Sequence, residues 1–243
     1  MTSSQMTALV TGGAVRLGRA LSLGLADAGY DVIVNYRSSE GPALEVRDRI
    51  VELGRRCTVV QGDLGHPEHI QRIVETIHAE HGRLDLLVNS AASFHSTAIL
   101  DVAAEEWDEI LAVNTRGPHL LVREAAELLR SAAGAVVNIA DHMGLEPWVR
   151  YGAHSVSKAA LIHLTRIQAR ALAPEVRVNA VAPGLVLPPE GLSEGALERE
   201  IDATLVKRVG TPDDIVEAVL YLARASYVTG QILSVDGGGT PLE

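Results

Sequence analysis

Short apolar runs recur along the chain at Ala8-Leu9-Val10, Val32-Ile33-Val34, Thr58-Val59-Val60, Leu84 to Val88, Ala135 to Ile139, Val176 to Val181 and Ile232 to Val235. Most are continuously apolar rather than alternating, which predicts strands covered on both faces by helices. Helical spacing fills the intervals. Leu17, Leu21, Leu25 and Ala28 share one helix face, and so do Ile70, Ile73, Val74 and Ile77. Gly29, Gly54, Gly82 and Gly134 each follow a helical stretch just before a strand, where a C-cap is expected. The alternation predicts an α/β fold with a parallel sheet. Only Leu185 to Leu197 breaks the pattern. It carries Pro188, Pro189, Gly191 and Gly195 and shows no clear helix or strand start. Such a segment reads as a candidate substrate lid or, failing that, as a plain surface loop. No repeat or linker divides the chain, so residues 1–243 read as one domain.

Composition narrows the class. Hydrophobic residues make up 47% and charged residues 21% of 243, which excludes disorder as the main state. One Phe among them means an aliphatic core. The formal net charge of −10 argues against nucleic acid or an anionic membrane as partner. A single cysteine, Cys57, excludes an internal disulfide and reads as an apolar filler. Met1 to Thr7 lacks the apolar core of a signal peptide, and no apolar run approaches the roughly 20 residues that span a bilayer. A cytoplasmic protein acting on a small molecule is expected.

The first strand leads straight into Thr11-Gly12-Gly13-Ala14-Val15-Arg16-Leu17-Gly18, and a helix follows. Glycines there let the backbone approach a pyrophosphate, and the helix N-terminus offers it free N–H groups. The second strand ends in Asn35-Tyr36-Arg37-Ser38, without the acid that usually bonds the ribose of NAD. Arg37 and Ser38 suit a 2′-phosphate instead, and Arg16 adds a second cation. NADPH is therefore expected over NADH.

With these motifs the sequence resembles the short-chain dehydrogenase/reductase family over nearly its whole length. The glycine motif is similar to Thr-Gly-x-x-x-Gly-x-Gly, with Arg16 at the middle glycine. Asp63-Leu64, Asn89-Ser90-Ala91-Ala92, Asn114 within Val113 to Gly117, and Pro183-Gly184 match further family motifs. The resemblance implies a Rossmann-type doubly wound domain with a seven-stranded parallel sheet, and by analogy a homotetramer. It also implies an NADP cofactor touching Gly12, Arg16, Leu17, Tyr36, Arg37, Ser38, Asp63, Leu64, Asn89, Ser90, Ala91, Lys158, Pro183 and Gly184. Arg16, Tyr36-Arg37-Ser38, Ser93-Phe94 and Asp141 resemble the pteridine reductase branch in particular. In that branch an Asp replaces the catalytic Ser. Phe94 and Tyr151 would then shape the slot for a flat heterocycle, with Arg16, Asp141 and His154 also facing substrate. The expected activity is hydride transfer to a pterin, a dihydrofolate or a cyclic imine.

The family signature Tyr-x-x-x-Lys places two side chains on one helix face. Here Lys158 is present, but His154 stands four residues before it. Asp141 precedes His154 by 13 residues, the branch spacing. Three readings stay open. His154 takes the acid role, as in a carbonyl reductase. Asp141, or a water it orders, delivers the proton with His154 only assisting, which suits a C=N substrate; the resemblance also implies a catalytic role for Asn114. Or the chain only binds nucleotide, as a regulatory protein. His142 adjoins Asp141 and is a minor candidate. The pairs His66/His69 and His78/His81 lack ligand spacing, so no metal is expected. Glu105 and Glu106, after Asp101, read as the acidic first turn of a helix.

Overall fold

The computed structural model describes residues 5–188, 191 and 193–240. Seven strands form one parallel sheet: β1 (Thr7–Val10), β2 (Asp31–Tyr36), β3 (Cys57–Gln61), β4 (Leu86–Asn89), β5 (Ala135–Ile139), β6 (Arg177–Pro183) and β7 (Ile232–Val235). Their spatial order is β3-β2-β1-β4-β5-β6-β7. The helices are α1 (Arg16–Asp27), α2 (Glu40–Glu52), α3 (Pro67–Glu80), α4 (Ala104–Leu111), α5 (Gly117–Glu124), α6 (Ala126–Ser131), α7 (Gly152–Leu172), α8 (Glu194–Ala203) and α9 (Pro212–Arg224). This is the expected doubly wound architecture.

The strands are mostly apolar without alternation because they feed two cores, one on each face. Ala8, Val10, Val34, Val88 and Val137 pack with Leu21, Leu25, Ile215 and Val219 of α1 and α9. Leu9, Ile33, Leu87 and Val136 point the other way, onto Ile70, Ile73 and Ile77 of α3 and Leu121 of α5. Leu9 and Ile33 are fully buried. Truncating either to Ala would cost about 2–5 kcal/mol.

The strand order reverses between β1 and β4, and β1 pairs with β2 on one side and β4 on the other: Val10 lies opposite Val34 and opposite Val88. A crevice opens beyond the carboxyl ends at such a reversal, and ligands bind there.

Two local expectations differ from the structure. Gly29, Gly54 and Gly82 take positive φ as C-caps, but before β5 it is Ala133 that does so, at φ 49°. Gly134 is small for another reason: a Cβ there would lie 2.9 Å from the Leu84 carbonyl oxygen. The 185–197 segment does contain a helix start, since Ser193 accepts from the Ala196 N–H at the head of α8. Its residues 189, 190 and 192 lie outside the described residues. No described helix is long and apolar enough to cross a membrane.

Candidate active site

The glycine turn is tied to both neighbouring strand ends. Thr11 Oγ1 accepts from the Ser90 and Ala91 N–H groups at 2.9 and 3.0 Å. Gly12 sits at φ +62°, and a Cβ on it would come within 3.0 Å of Ala91 Cα. The N–H of Gly13 donates to the Asn35 carbonyl, and the Asn35 side chain bridges Gly12 N–H to the Gly62 carbonyl. Asn35 was not among the expected site residues. A polar residue inside an apolar strand gives no periodic signal.

This turn fits a pyrophosphate. Val15 at the head of α1 supplies no side-chain cap, and the first turn holds no acid. The helix's free N–H groups and partial positive charge are left for an anion. Leu17 lies in that first turn with its side chain packed on the core. Arg16 occupies its family-glycine position at φ 49° and reaches the Leu187 carbonyl at 2.9 Å, joining the turn to the segment after β6.

Past the end of β2, Tyr36 is buried while Arg37 and Ser38 are exposed. Arg37 lies 4.0 Å from Asp63 and 3.8 Å from Glu109, loose contacts that leave its guanidinium free to meet a phosphate. Asp63 accepts from Gly65 N–H, Leu64 is buried, and Gly117 is small because its Cβ would strike Leu64. Glu109 also accepts from Ser93 Oγ at 3.0 Å, a link the sequence did not reveal.

Asn89 is buried below the crevice and donates to Asn138, while its Oδ1 has no partner. Asn114 lies in a wide π-helical turn, Ala112–Arg116, between α4 and α5. Such one-residue bulges recur at functional sites. Its amide clasps both backbone groups of Ser93 at 2.7 and 2.9 Å and donates to Ser157 Oγ. Phe94 follows directly. Its ring stacks on Tyr151 at 5.1 Å and meets the edge of His154 at 4.7 Å. Trp148 adds its edge to His142 at 5.3 Å.

Asp141, His154 and Lys158 do converge. Asp141 Oδ2 lies 3.4 Å from His154 Nε2, and Asp141 Oδ1 lies 3.0 Å from His142 Nδ1 and accepts from Met143 N–H. Burial pushes the Asp141 carboxyl up, but hydrogen bonds from His142, His154 and Met143 outweigh it and hold the group well below the usual carboxylate range. For His142, burial works against the charged ring, and Asp141, the Pro183 carbonyl and Glu200 more than offset it, raising its value. Lys158 is buried and donates to the Ile139 carbonyl at 2.7 Å. Burial brings its ammonium down to about 8, with Asp141 opposing. Pro183 and Gly184 close the floor at the end of β6, where Gly184 abuts Asp236.

The remaining candidates stay out of the site. His69 accepts from Asp63 N–H and His81 meets Thr58, and no described group of three or more His, Cys, Asp or Glu has metal-holding geometry. Cys57 is half-buried, and burial pushes its thiol up to about 12, so it stays protonated. Glu105 and Glu106 do open α4.

Known proteins of this shape include a crystallised acetoin dehydrogenase from Enterobacter cloacae, at TM-score 0.87 and 32% identity, covering 97% of this chain and 96% of that one. An uncharacterised oxidoreductase of Mycobacterium tuberculosis is 37% identical over 96% of this chain and 91% of its own length. The 3-oxoacyl-[acyl-carrier-protein] reductase FabG of Staphylococcus epidermidis is 31% identical over 96% and 98%. The family described as enoyl-(acyl carrier protein) reductase matches residues 13–240. The chain belongs to the short-chain dehydrogenase/reductase family, whose members are oxidoreductases that use a nicotinamide cofactor.

Proposed function

We propose that this protein is an NADPH-dependent reductase acting on a planar substrate with a C=N bond, of the pterin, dihydrofolate or cyclic imine kind. One observation carries the reading. Solvent reaches 24% of the Asp141 side chain but only 3% of His154. The group presented to a substrate is thus an ionised carboxylate. A carboxylate repels the alkoxide that develops when a ketone is reduced, and it stabilises the cation of a protonated C=N bond. Phe94, half exposed, offers a ring face for a flat heterocycle, backed by Tyr151.

The first turn of α1 and Gly12 would hold the pyrophosphate, and Arg16, Arg37 and Ser38 the phosphates. Asp63 and Leu64 would border the adenine. Ser90, Ala91, Asn89, Lys158, Pro183 and Gly184 would border the nicotinamide half. When bound, the cofactor supplies a hydride. The protein's part is positional and electrostatic. Lys158 would supply positive charge to the nicotinamide half, Asn114 fixes Ser93 and hence Phe94, and His154 holds Asp141 Oδ2. Exposed Val156 and Ile167 on α7 favour self-association, consistent with a homotetramer.

Following NADPH oxidation with a dihydropterin, a cyclic imine and a simple ketone tests the reading. Turnover of the nitrogen substrates at least about tenfold above the ketone supports it. A preference for the ketone favours the second reading, a carbonyl reductase with His154 as acid. That reading draws on the ketoacyl reductase and acetoin dehydrogenase relatives.

A further inference from the structure

His154 occupies the family tyrosine position, yet both of its ring nitrogens face the protein interior. Nε2 faces Asp141 Oδ2 at 3.4 Å and Nδ1 faces the Asn114 amide nitrogen at 3.5 Å. The Asn114 amide spends its two hydrogens on Ser93 and Ser157, so only the Asp141 contact engages the His154 ring, and at 3% exposure that ring has no N–H aimed outward. His142 is arranged the other way. Its Nδ1 has two oxygen acceptors, Asp141 Oδ1 at 3.0 Å and the Pro183 carbonyl at 3.2 Å. Two acceptors fix a hydrogen on Nδ1, so Nε2 is the atom that gains and loses a proton. Nε2 has no hydrogen-bond partner among the described residues, and the ring is one-fifth exposed. A carboxylate behind one ring nitrogen and a free second nitrogen is the arrangement that makes histidine an acid–base catalyst.

We propose that His142, not His154, is the general acid of this site and delivers the proton from Nε2 to the substrate nitrogen. The assignment rests on the reductase reading above. In the step, the Nε2–H bond of the imidazolium breaks and its electron pair stays on the ring. A new N–H bond forms on the substrate. The substrate carbon accepts a hydride, with its two electrons, from a reduced nicotinamide, which is thereby oxidised. Water restores the proton to Nε2. Asp141 stays ionised throughout and stabilises the cationic C=N.

The surroundings favour a protonated ring. Asp141 lies on the same turn and Glu200 on α8, and both charges raise the His142 value against burial. On α7, Lys158 is turned to the Ile139 carbonyl and His154 to the far carboxylate oxygen. The Pro183 carbonyl faces the ring from β6, and the uncharged Trp148 packs on its edge.

The test compares a neutral cyclic imine with its N-methylated iminium salt, which needs no proton. On the imine, kcat/KM of the wild type falls as pH rises through the His142 titration. His142→Gln lowers it by about 100-fold or more and removes that limb. On the iminium the loss is at least tenfold smaller. Equal losses on both substrates mean a structural role and overturn the proposal, as does an unchanged rate on the imine. Nitrogen-15 NMR of the ligand-free wild type, with His142 assigned by its loss in His142→Gln, gives an answer independent of turnover. Nδ1 stays protonated while Nε2 titrates; titration at Nδ1 overturns the assignment. If the wild type reduces no imine at all, the reductase reading fails and the acid role falls with it, while the NMR result still decides which His142 nitrogen titrates.

Discussion

The Arg16 guanidinium donates to the Leu187 carbonyl at 2.9 Å, although 171 residues separate the two in the chain. The same residue holds a left-handed backbone, φ 49°, where an L side chain costs about 1–2 kcal/mol. Arg16→Gly relieves that strain and removes the clasp together. The variant should be as stable as the wild type or more so in urea titration, while its Kd for NADPH rises about tenfold or more in a fluorescence titration. Unchanged affinity would show that Arg16 serves only to hold the segment around Leu187.

The proposed NADPH reading assigns the cofactor preference to Arg37. Its contacts to Asp63 and Glu109 are long, at 4.0 and 3.8 Å, and its side chain is 61% exposed. A charge-assisted bond to a 2′-phosphate is worth about 1.5–3 kcal/mol. Arg37→Ala should therefore lower the NADPH/NADH ratio of kcat/KM by about 10–100-fold, with NADH affected little. An unaltered ratio rejects the assignment.

Asp141 links activity to acid stability. Its folded value lies below the unfolded one of about 3.9, so its stabilisation is present above that pH and is lost as pH falls through the folded value. Asp141→Asn should abolish most turnover and cost about 1–3 kcal/mol at pH 7. The stability gap to the wild type should narrow below about pH 4. A gap that stays constant down to pH 2–3, measured by urea unfolding, would contradict the ionised carboxylate.

Lys158 has the opposite sign. Its ammonium is brought down to about 8 by burial, whereas the unfolded chain titrates near 10.4. Below pH 8 the buried charge costs stability. Between about 8 and 10.4 the unfolded state binds a proton that the folded state does not, so wild-type stability rises with pH. Lys158→Met should lose activity yet gain up to about 1–3 kcal/mol at pH 7, and the gain should shrink across that window. Thermal melts from pH 6 to 10 read both trends.

The sheet was legible because its strands feed two aliphatic cores, which writes them as apolar runs such as Leu86 to Val88. The convergence of Asp141, His154 and Lys158 was legible because a four-residue helical step and a strand end carry it. Asn35 was not, since its bonds to Gly12 and Gly62 cross from strand to strand. The head of α8 hid behind neighbouring prolines and glycines, with Ser193 as its only cue. The roles of the two histidines around Asp141 depend on which ring nitrogen meets which oxygen, and no spacing encodes that.

The wide turn at Ala112–Arg116 fixes the length of the helical stretch that contains it. Each residue of an α-helix turns the chain by about 100°. Removing one residue from the bulge, to leave a regular helix, would swing everything on one side of it by that angle. Asn114 would then leave Ser93, and Phe94 would lose its anchor. Deletions at this point should be far more damaging than substitutions of its outward-facing residues, so the segment works as a spacer whose residue number matters more than its composition.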